Sequence, residues 1–210
     1  MPSFLSKQAM PRLLLFITVL LLFSAMSAIK VMNRDIKKAR IYNQINGHSF
    51  AIEIIGSDEF IDKTKQALDL LQKGSPDAFL KVHKYIGIIE QGKRSAMWAF
   101  EEPPRFEVND VTAYYSATWY AGVLAHESVH SELFYQYLAG GKSRKAVPDQ
   151  AWKEREAEIL CMKYQEQVLL QIGSPKHEVD HVTLHSGDGT HSDIDKDGDV
   201  DWLDYLRRDW

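Results

Sequence analysis

The sequence predicts an α+β fold, in which a small antiparallel sheet is followed by two long helices and a short acidic segment. Three observations lead to this prediction. Phe50, Ile52 and Ile54 alternate with other residues, as in a half-buried strand. Residues 116–138 and 150–172 contain no proline and carry apolar side chains at helical spacing. The composition is 45% hydrophobic and 26% charged, which is that of a globular chain able to bury a core.

The first 29 residues are predicted to be a signal peptide or a membrane anchor. Residues 13–29 contain no charged residue, follow Lys7 and Arg12, and end in small side chains. The basic segment 30–47 is predicted to be a linker. Its lysines and arginines favour a cytoplasmic location for the rest of the chain, whereas the small residues favour export. The net charge of −4 gives no reason to expect a nucleic-acid partner.

Residues 48–175 are predicted to form one domain that begins with the strand at 50–54. Ser57 is a candidate N-cap for a helix that ends near Gly74, and Ser75-Pro76 starts a second helix that ends near Tyr85. Short alternating stretches around two prolines predict two or three short strands over residues 86–109. The two long helices then complete the domain.

The first long helix carries two histidines four residues apart, with a glutamate directly after the first. His126, Glu127 and His130 form the motif H-E-x-x-H. Histidines at i and i+4 project from one helix face, so both imidazoles can bind one zinc ion at about 2.0–2.1 Å. The glutamate points beside such a metal, where it can act as a general base toward a zinc-activated water.

The second long helix is predicted to supply the third zinc ligand. Glu154 and Glu158 share the helical face of the apolar residues, whereas Glu156 shares the face of the lysines. Two glutamates on an inward-facing stripe are costly unless a cation or hydrogen-bond donors satisfy them. We therefore predict Glu154 as the third ligand and Glu158 as a hydrogen-bond partner of a ligating histidine. Cys161, the only cysteine, lies among apolar neighbours and is expected to be a buried, unreactive thiol.

The stretches VLAHESVHS and EREAE resemble the gluzincins, the thermolysin-like class of zinc metallopeptidases. The resemblance is confined to these motifs. Glu132 stands where that class usually has an apolar residue, and Glu158 stands where it usually has aspartate. The resemblance implies a zincin-like metal site between the two long helices, a protein or peptide substrate, and an oxyanion-stabilising Tyr or His. Candidates for that last role are Tyr114, Tyr115, His177, His181 and His185.

Residues 176–210 are predicted to be an acidic tail with a calcium site. Its aspartates fit the positions of an EF-hand loop, with Gly198 at the sharp turn, and the spacing resembles the loops of dockerin-type modules. The predicted calcium ligands are Asp193, Asp195, Asp197, Asp199, Asp201 and Asp204. The alternative is a disordered acidic tail. A single weak loop suits extracellular calcium concentrations, so we expect an extracytoplasmic protein, membrane-anchored or secreted.

These patterns point to two functions from different classes. The first is a zinc-dependent peptidase with a calcium-stabilised C-terminus. The alternative is a catalytically inactive, zincin-like surface protein that acts as a calcium-dependent binding module. Glu127 favours the enzyme, because a scaffold that only binds metal does not need a general base beside it.

Overall fold

The computed structural model describes residues 35–45, 48–141 and 143–185. The chain divides into two units, Met1–Asp35 and Ile36–Trp210, and the described residues belong almost entirely to the second. The predicted signal peptide or anchor and the predicted calcium loop both lie outside the described residues. Within the described ranges, no helix combines the length and the apolar character needed to cross a membrane.

A five-stranded mixed sheet forms the β layer and confirms the α+β class. Its strands are β1 (Lys37–Ile45), β2 (His48–Gly56), β3 (Ile88–Gln91), β4 (Ala96–Trp98) and β5 (Arg105–Val108), in the order β1-β2-β3-β5-β4. The two outer pairs are antiparallel, as expected, but β2–β3 and β3–β5 are parallel. Two helices connect β2 to β3, and such a long crossover allows a parallel neighbour where a hairpin would not.

Strand β1 corrects the prediction that residues 30–47 are a linker. Its nine residues pair with all of β2, with Ile41 opposite Ile52. The basic side chains of this edge strand lie on the surface, where Lys38 and Arg40 approach Glu53 at 3.3 and 3.9 Å. Lysines on an exposed edge are a common protection against edge-to-edge association. The basic composition of this segment therefore led to the wrong prediction of a linker.

The described residues contain six α-helices, and side-chain caps mark three of their starts. They are α1 (Asp58–Gly74), α2 (Pro76–Tyr85), α3 (Asp110–Tyr115), α4 (Ala117–Ala139), α5 (Arg155–Gln171) and α6 (Lys176–His185). Ser57, Asn109 and Ser116 accept hydrogen bonds from the backbone N–H groups three residues on, as N-cap residues do. The predicted bounds of α1, α2 and α4 are confirmed to within about two residues.

Helix α4 is the central helix of the described fold. It packs against α1, α2, α3, α5 and strand β4. Its middle is therefore apolar or small on most sides rather than along one stripe, with Tyr120, Leu124 and Ala125 fully buried. Its buried serine hydroxyls have acceptors: Ser128 donates to the Ala125 carbonyl on the same helix, and Ser131 donates to the Tyr85 carbonyl of α2, both at 2.6 Å. This packing holds both histidines of the motif on a rigid, buried element.

Helix α5 starts five residues later than the predicted position 150. A 3-10 turn at Asp149–Ala151 precedes it, and Glu154 is its N-cap, with extended backbone angles of φ −91° and ψ −175°. Gly122 of α4 allows a close approach to α5, because a Cβ there would lie 2.6 Å from Leu169 Cδ2. The late start of α5 decides which of its glutamates faces α4.

Helix α6 corrects the predicted start of the acidic tail at residue 176. Val182 of α6 is fully buried in a small cluster with Met162 and Leu169. Glu178, which is 2% exposed, accepts hydrogen bonds from Ser116 Oγ at 2.6 Å and Thr118 Oγ1 at 2.7 Å. Residues 176–185 therefore belong to the folded domain.

Candidate metal centre

His126 and His130 lie one helical turn apart on α4, on the face that packs against α5. They are 7% and 5% exposed. Their Nε2 atoms lie 3.1 Å from each other. The prediction that both imidazoles project from one helix face is confirmed, because the i, i+4 spacing directs both rings to one point between α4 and α5.

The second nitrogen of each ring is held by a hydrogen-bond acceptor. His130 Nδ1 lies 2.6 Å from the Trp152 carbonyl oxygen, and a carbonyl can only accept, so this nitrogen carries the proton. His126 Nδ1 lies 3.1 Å from Gln165 Oε1 and donates in the same way. In the neutral rings, both Nε2 lone pairs therefore point toward the space between the histidines. Metal-binding histidines are usually oriented by such partners.

The structure places Glu158 against these nitrogens, where Glu154 was expected. The two Glu158 oxygens lie 3.3 Å from His126 Nε2 and 3.5 Å from His130 Nε2, and the residue is 5% exposed. Glu154 precedes the first turn of α5, so the helical period that relates it to Glu158 does not extend to it. Glu158, predicted as an outer hydrogen-bond partner, therefore contacts both histidines and is a candidate ligand.

The pKa values of the cluster favour a positive charge among its members. Burial alone would lower the pKa of His130, but Cys161 and Glu158 together raise it well above the usual value. Burial alone would raise the pKa of Glu158, but the two histidines hold it well below its usual value. A buried carboxylate and two converging lone pairs need a positive charge among them, which a proton on His130 or a metal ion supplies.

Cys161 joins the cluster from the next turn of α5. Its Sγ and one nitrogen each of His126 and His130 all lie within 4.8 Å of one another. Burial raises the pKa of the thiol to about 11, against a smaller opposing effect of His130, and the charges of Glu158 and Glu127 add to the increase. The buried group formed by His126, His130 and Cys161 can hold a metal ion. The burial of the Cys161 thiol was predicted, but its position beside two histidines was not.

The donor atoms fit a small divalent transition metal. Two ligands at about 2.0–2.1 Å from a tetrahedral zinc are separated by about 3.3 Å. The two histidine Nε2 atoms are 3.1 Å apart, Glu158 Oε2 lies 3.3 Å from His126 Nε2, and Glu158 Oε1 lies 3.5 Å from His130 Nε2, so each of these pairs is close to that separation. Imidazole, carboxylate and thiol are also the donor types that zinc takes, whereas magnesium and calcium favour oxygen alone.

The other residues singled out by the motif fall in different surroundings. Glu127 is partly buried, and its charge acts on the Cys161 thiol. Glu132, unusual for its position, accepts a hydrogen bond from Lys81 Nζ at 2.5 Å. Of the oxyanion candidates, Tyr114 has its hydroxyl 3.4 Å from Ser57 Oγ, and His181 makes an edge-to-face contact with Trp119. These contacts give neither residue a role at the cluster.

Three groups of the cluster were missed by the sequence analysis: the Cys161 thiol, the Gln165 amide and the Trp152 carbonyl. Glu158, Cys161 and Gln165 follow one another at i, i+3 and i+7, so a single face of α5 supplies all three. That spacing was visible in the sequence. The Trp152 carbonyl was not predictable, since it depends on the 3-10 turn before α5.

No protein-family model, no curated protein and no solved structure matches this chain. The resemblance to the gluzincins therefore stays a prediction that rests on the two motifs. What the fold and the site define is an α+β protein with a buried histidine, carboxylate and thiol cluster between two helices.

Proposed function

We propose that this protein is a zinc-dependent hydrolase of peptide bonds, with zinc held by His126, His130 and Glu158. The observation that carries the proposal is a set of short distances buried between α4 and α5: 3.1 Å between the two histidine Nε2 atoms, 3.3 Å from His126 Nε2 to Glu158 Oε2, and 3.5 Å from His130 Nε2 to Glu158 Oε1. The choice of a peptide substrate comes from the resemblance of the motifs to the gluzincins.

Each residue around the proposed zinc position has a distinct role. Bound zinc supplies Lewis acidity, which lowers the pKa of a coordinated water to about 7. The Trp152 carbonyl and Gln165 amide fix the imidazoles with their Nε2 lone pairs inward. Glu127 follows His126 directly in the sequence, so its carboxylate would act beside the metal, where it would take a proton from the attacking water and pass it to the leaving amine.

A second function is favoured by the burial of the cluster. His126, His130 and Glu158 are each at most 7% exposed, and Cys161 is fully buried. Structural zinc sites have four protein ligands and no open position, and four donor groups are present here. In this second proposal the metal stabilises the packing of α4 on α5, and the protein is a binding module without hydrolytic activity.

A Glu127→Gln variant separates the two functions. It should retain one zinc per chain but lose peptidase activity about 10²–10⁴-fold, because the amide cannot accept the proton. Glu132→Gln is the matched control on the same helix and should keep both zinc and activity. Equal peptidase activity of wild type and Glu127→Gln would contradict the enzyme proposal, and so would the absence of activity on any peptide library from wild type and Cys161→Ala alike.

We also propose that residues 193–204 bind calcium and that the protein works outside the cytoplasm. Six aspartates within twelve residues repel one another unless a cation lies among them. Calcium at about ten times its Kd should then stabilise the folded chain by about 1.4 kcal/mol. Asp193→Ala should abolish the calcium-dependent rise in melting temperature without changing the zinc content. A melting temperature that millimolar calcium leaves unaltered would contradict the calcium site.

A further inference from the structure

Cys161 lies on the same face of α5 as Glu158, three residues further on. This spacing brings the thiol and the carboxylate to the same pair of histidines from one helix. The thiol is fully buried within the cluster, with Sγ and the histidine nitrogens within 4.8 Å of one another. In a tetrahedral zinc site with one thiolate, nitrogen and sulfur ligands are separated by roughly 3.6 Å. A movement of at most about 1.2 Å would therefore place Sγ at ligand distance.

We propose that Cys161 is a fourth ligand of the same metal, so that the site closes as His126, His130, Glu158 and Cys161. This inference rests on the proposed zinc site and concerns whether the zinc has an open position for water. Cysteine is otherwise unexplained at this position, because an apolar side chain of similar size would fill the space without bringing sulfur to two imidazoles.

The consequence is that the four-ligand arrangement is the resting form of the proposed peptidase. A tetrahedral zinc with four protein ligands has no position for water, whereas hydrolysis requires one. Activity therefore requires Cys161 to leave the metal while His126, His130 and Glu158 retain it. Removal of the thiol should leave zinc bound and make the open form permanent.

X-ray absorption at the zinc edge of the full-length wild-type chain tests the ligand directly. The expected spectrum contains one sulfur neighbour at about 2.3 Å and three nitrogen or oxygen neighbours at about 2.0–2.1 Å. Cys161→Ala should lose the sulfur neighbour. Met162→Leu is the matched control, because Met162 is the adjacent buried sulfur, and it should keep the wild-type spectrum. A wild-type spectrum with nitrogen and oxygen neighbours alone overturns the inference, whether or not the variants fold.

Peptidase assays on the same samples separate this inference from the proposed function. Higher turnover in Cys161→Ala than in wild type, at equal zinc content, supports a closed resting form. If the spectrum shows a sulfur neighbour but neither wild type nor Cys161→Ala has peptidase activity, Cys161 is a ligand and the hydrolase proposal is wrong. If the chain has peptidase activity but the spectrum shows no sulfur neighbour, the hydrolase proposal stands and Cys161 is not a ligand. A chain that binds no zinc overturns both.

Discussion

Gly122→Ala tests the close approach of α4 and α5 that brings the candidate metal ligands together. The added Cβ would lie 2.6 Å from Leu169 Cδ2 and 3.0 Å from Leu169 Cγ, closer than carbon atoms pack. Alanine gains about 1 kcal/mol over glycine in a helix interior, whereas overpacking a core costs about 1–3 kcal/mol. At the middle of that range, the free energy of unfolding should fall by about 1 kcal/mol.

The effect is measured by urea unfolding of the metal-free protein, so that zinc binding does not contribute to the stability. Leu169→Ala alone should cost about 2–5 kcal/mol, because Leu169 is fully buried. In the double variant the new methyl group fills part of that space, so the two effects should fall short of additivity by about 1 kcal/mol. Full additivity, or a Gly122→Ala protein that is about 1 kcal/mol more stable than wild type, would refute the close helix contact.

Two further predictions concern buried polar groups away from the metal centre. Burial lowers the pKa of His83 from 6.5 to about 4, and its Nε2 accepts from Asn43. As the pH falls below 6.5, the unfolded chain therefore binds a proton at His83 that the folded chain does not bind. The free energy of unfolding should then decrease by about 2 kcal/mol between pH 7 and pH 5. A His83→Gln variant with the same pH dependence as wild type would exclude this cause. Glu178→Ala should cost about 2–3 kcal/mol in thermal or urea unfolding, because it removes two buried hydrogen bonds to a carboxylate. Asp180→Ala, on the surface of the same helix, should cost less than about 1 kcal/mol, and equal losses would count against the buried role of Glu178.

The helices were predictable where side-chain chemistry marks their ends. Ser57 and Ser116 satisfy the first backbone N–H groups of α1 and α4, so the sequence and the structure agree there. The placement of the two histidines on one buried face follows from spacing alone, and the structure confirms it. These features depend on contacts within a few residues along the chain.

The features that were mispredicted depend on contacts distant in sequence. Strand β1 is stabilised by pairing with β2, and its basic side chains gave no indication of that partner. The parallel pairing of β2 with β3 depends on the path of two intervening helices. Glu154 was chosen because the period of α5 was extended one turn too far, across the 3-10 turn that ends near Trp152. Tertiary contacts decide each of these cases.

The role of Glu158 is the most direct test of the proposed metal centre, and the chain provides its own control in Glu154. Zinc content after dialysis against a chelator should be one per chain in wild type and in Glu154→Gln. In Glu158→Gln the zinc should be lost, with affinity reduced by more than the roughly 10–100-fold effect of an outer-shell partner. Retention of zinc by Glu158→Gln together with its loss from Glu154→Gln would contradict the site described for α4 and α5.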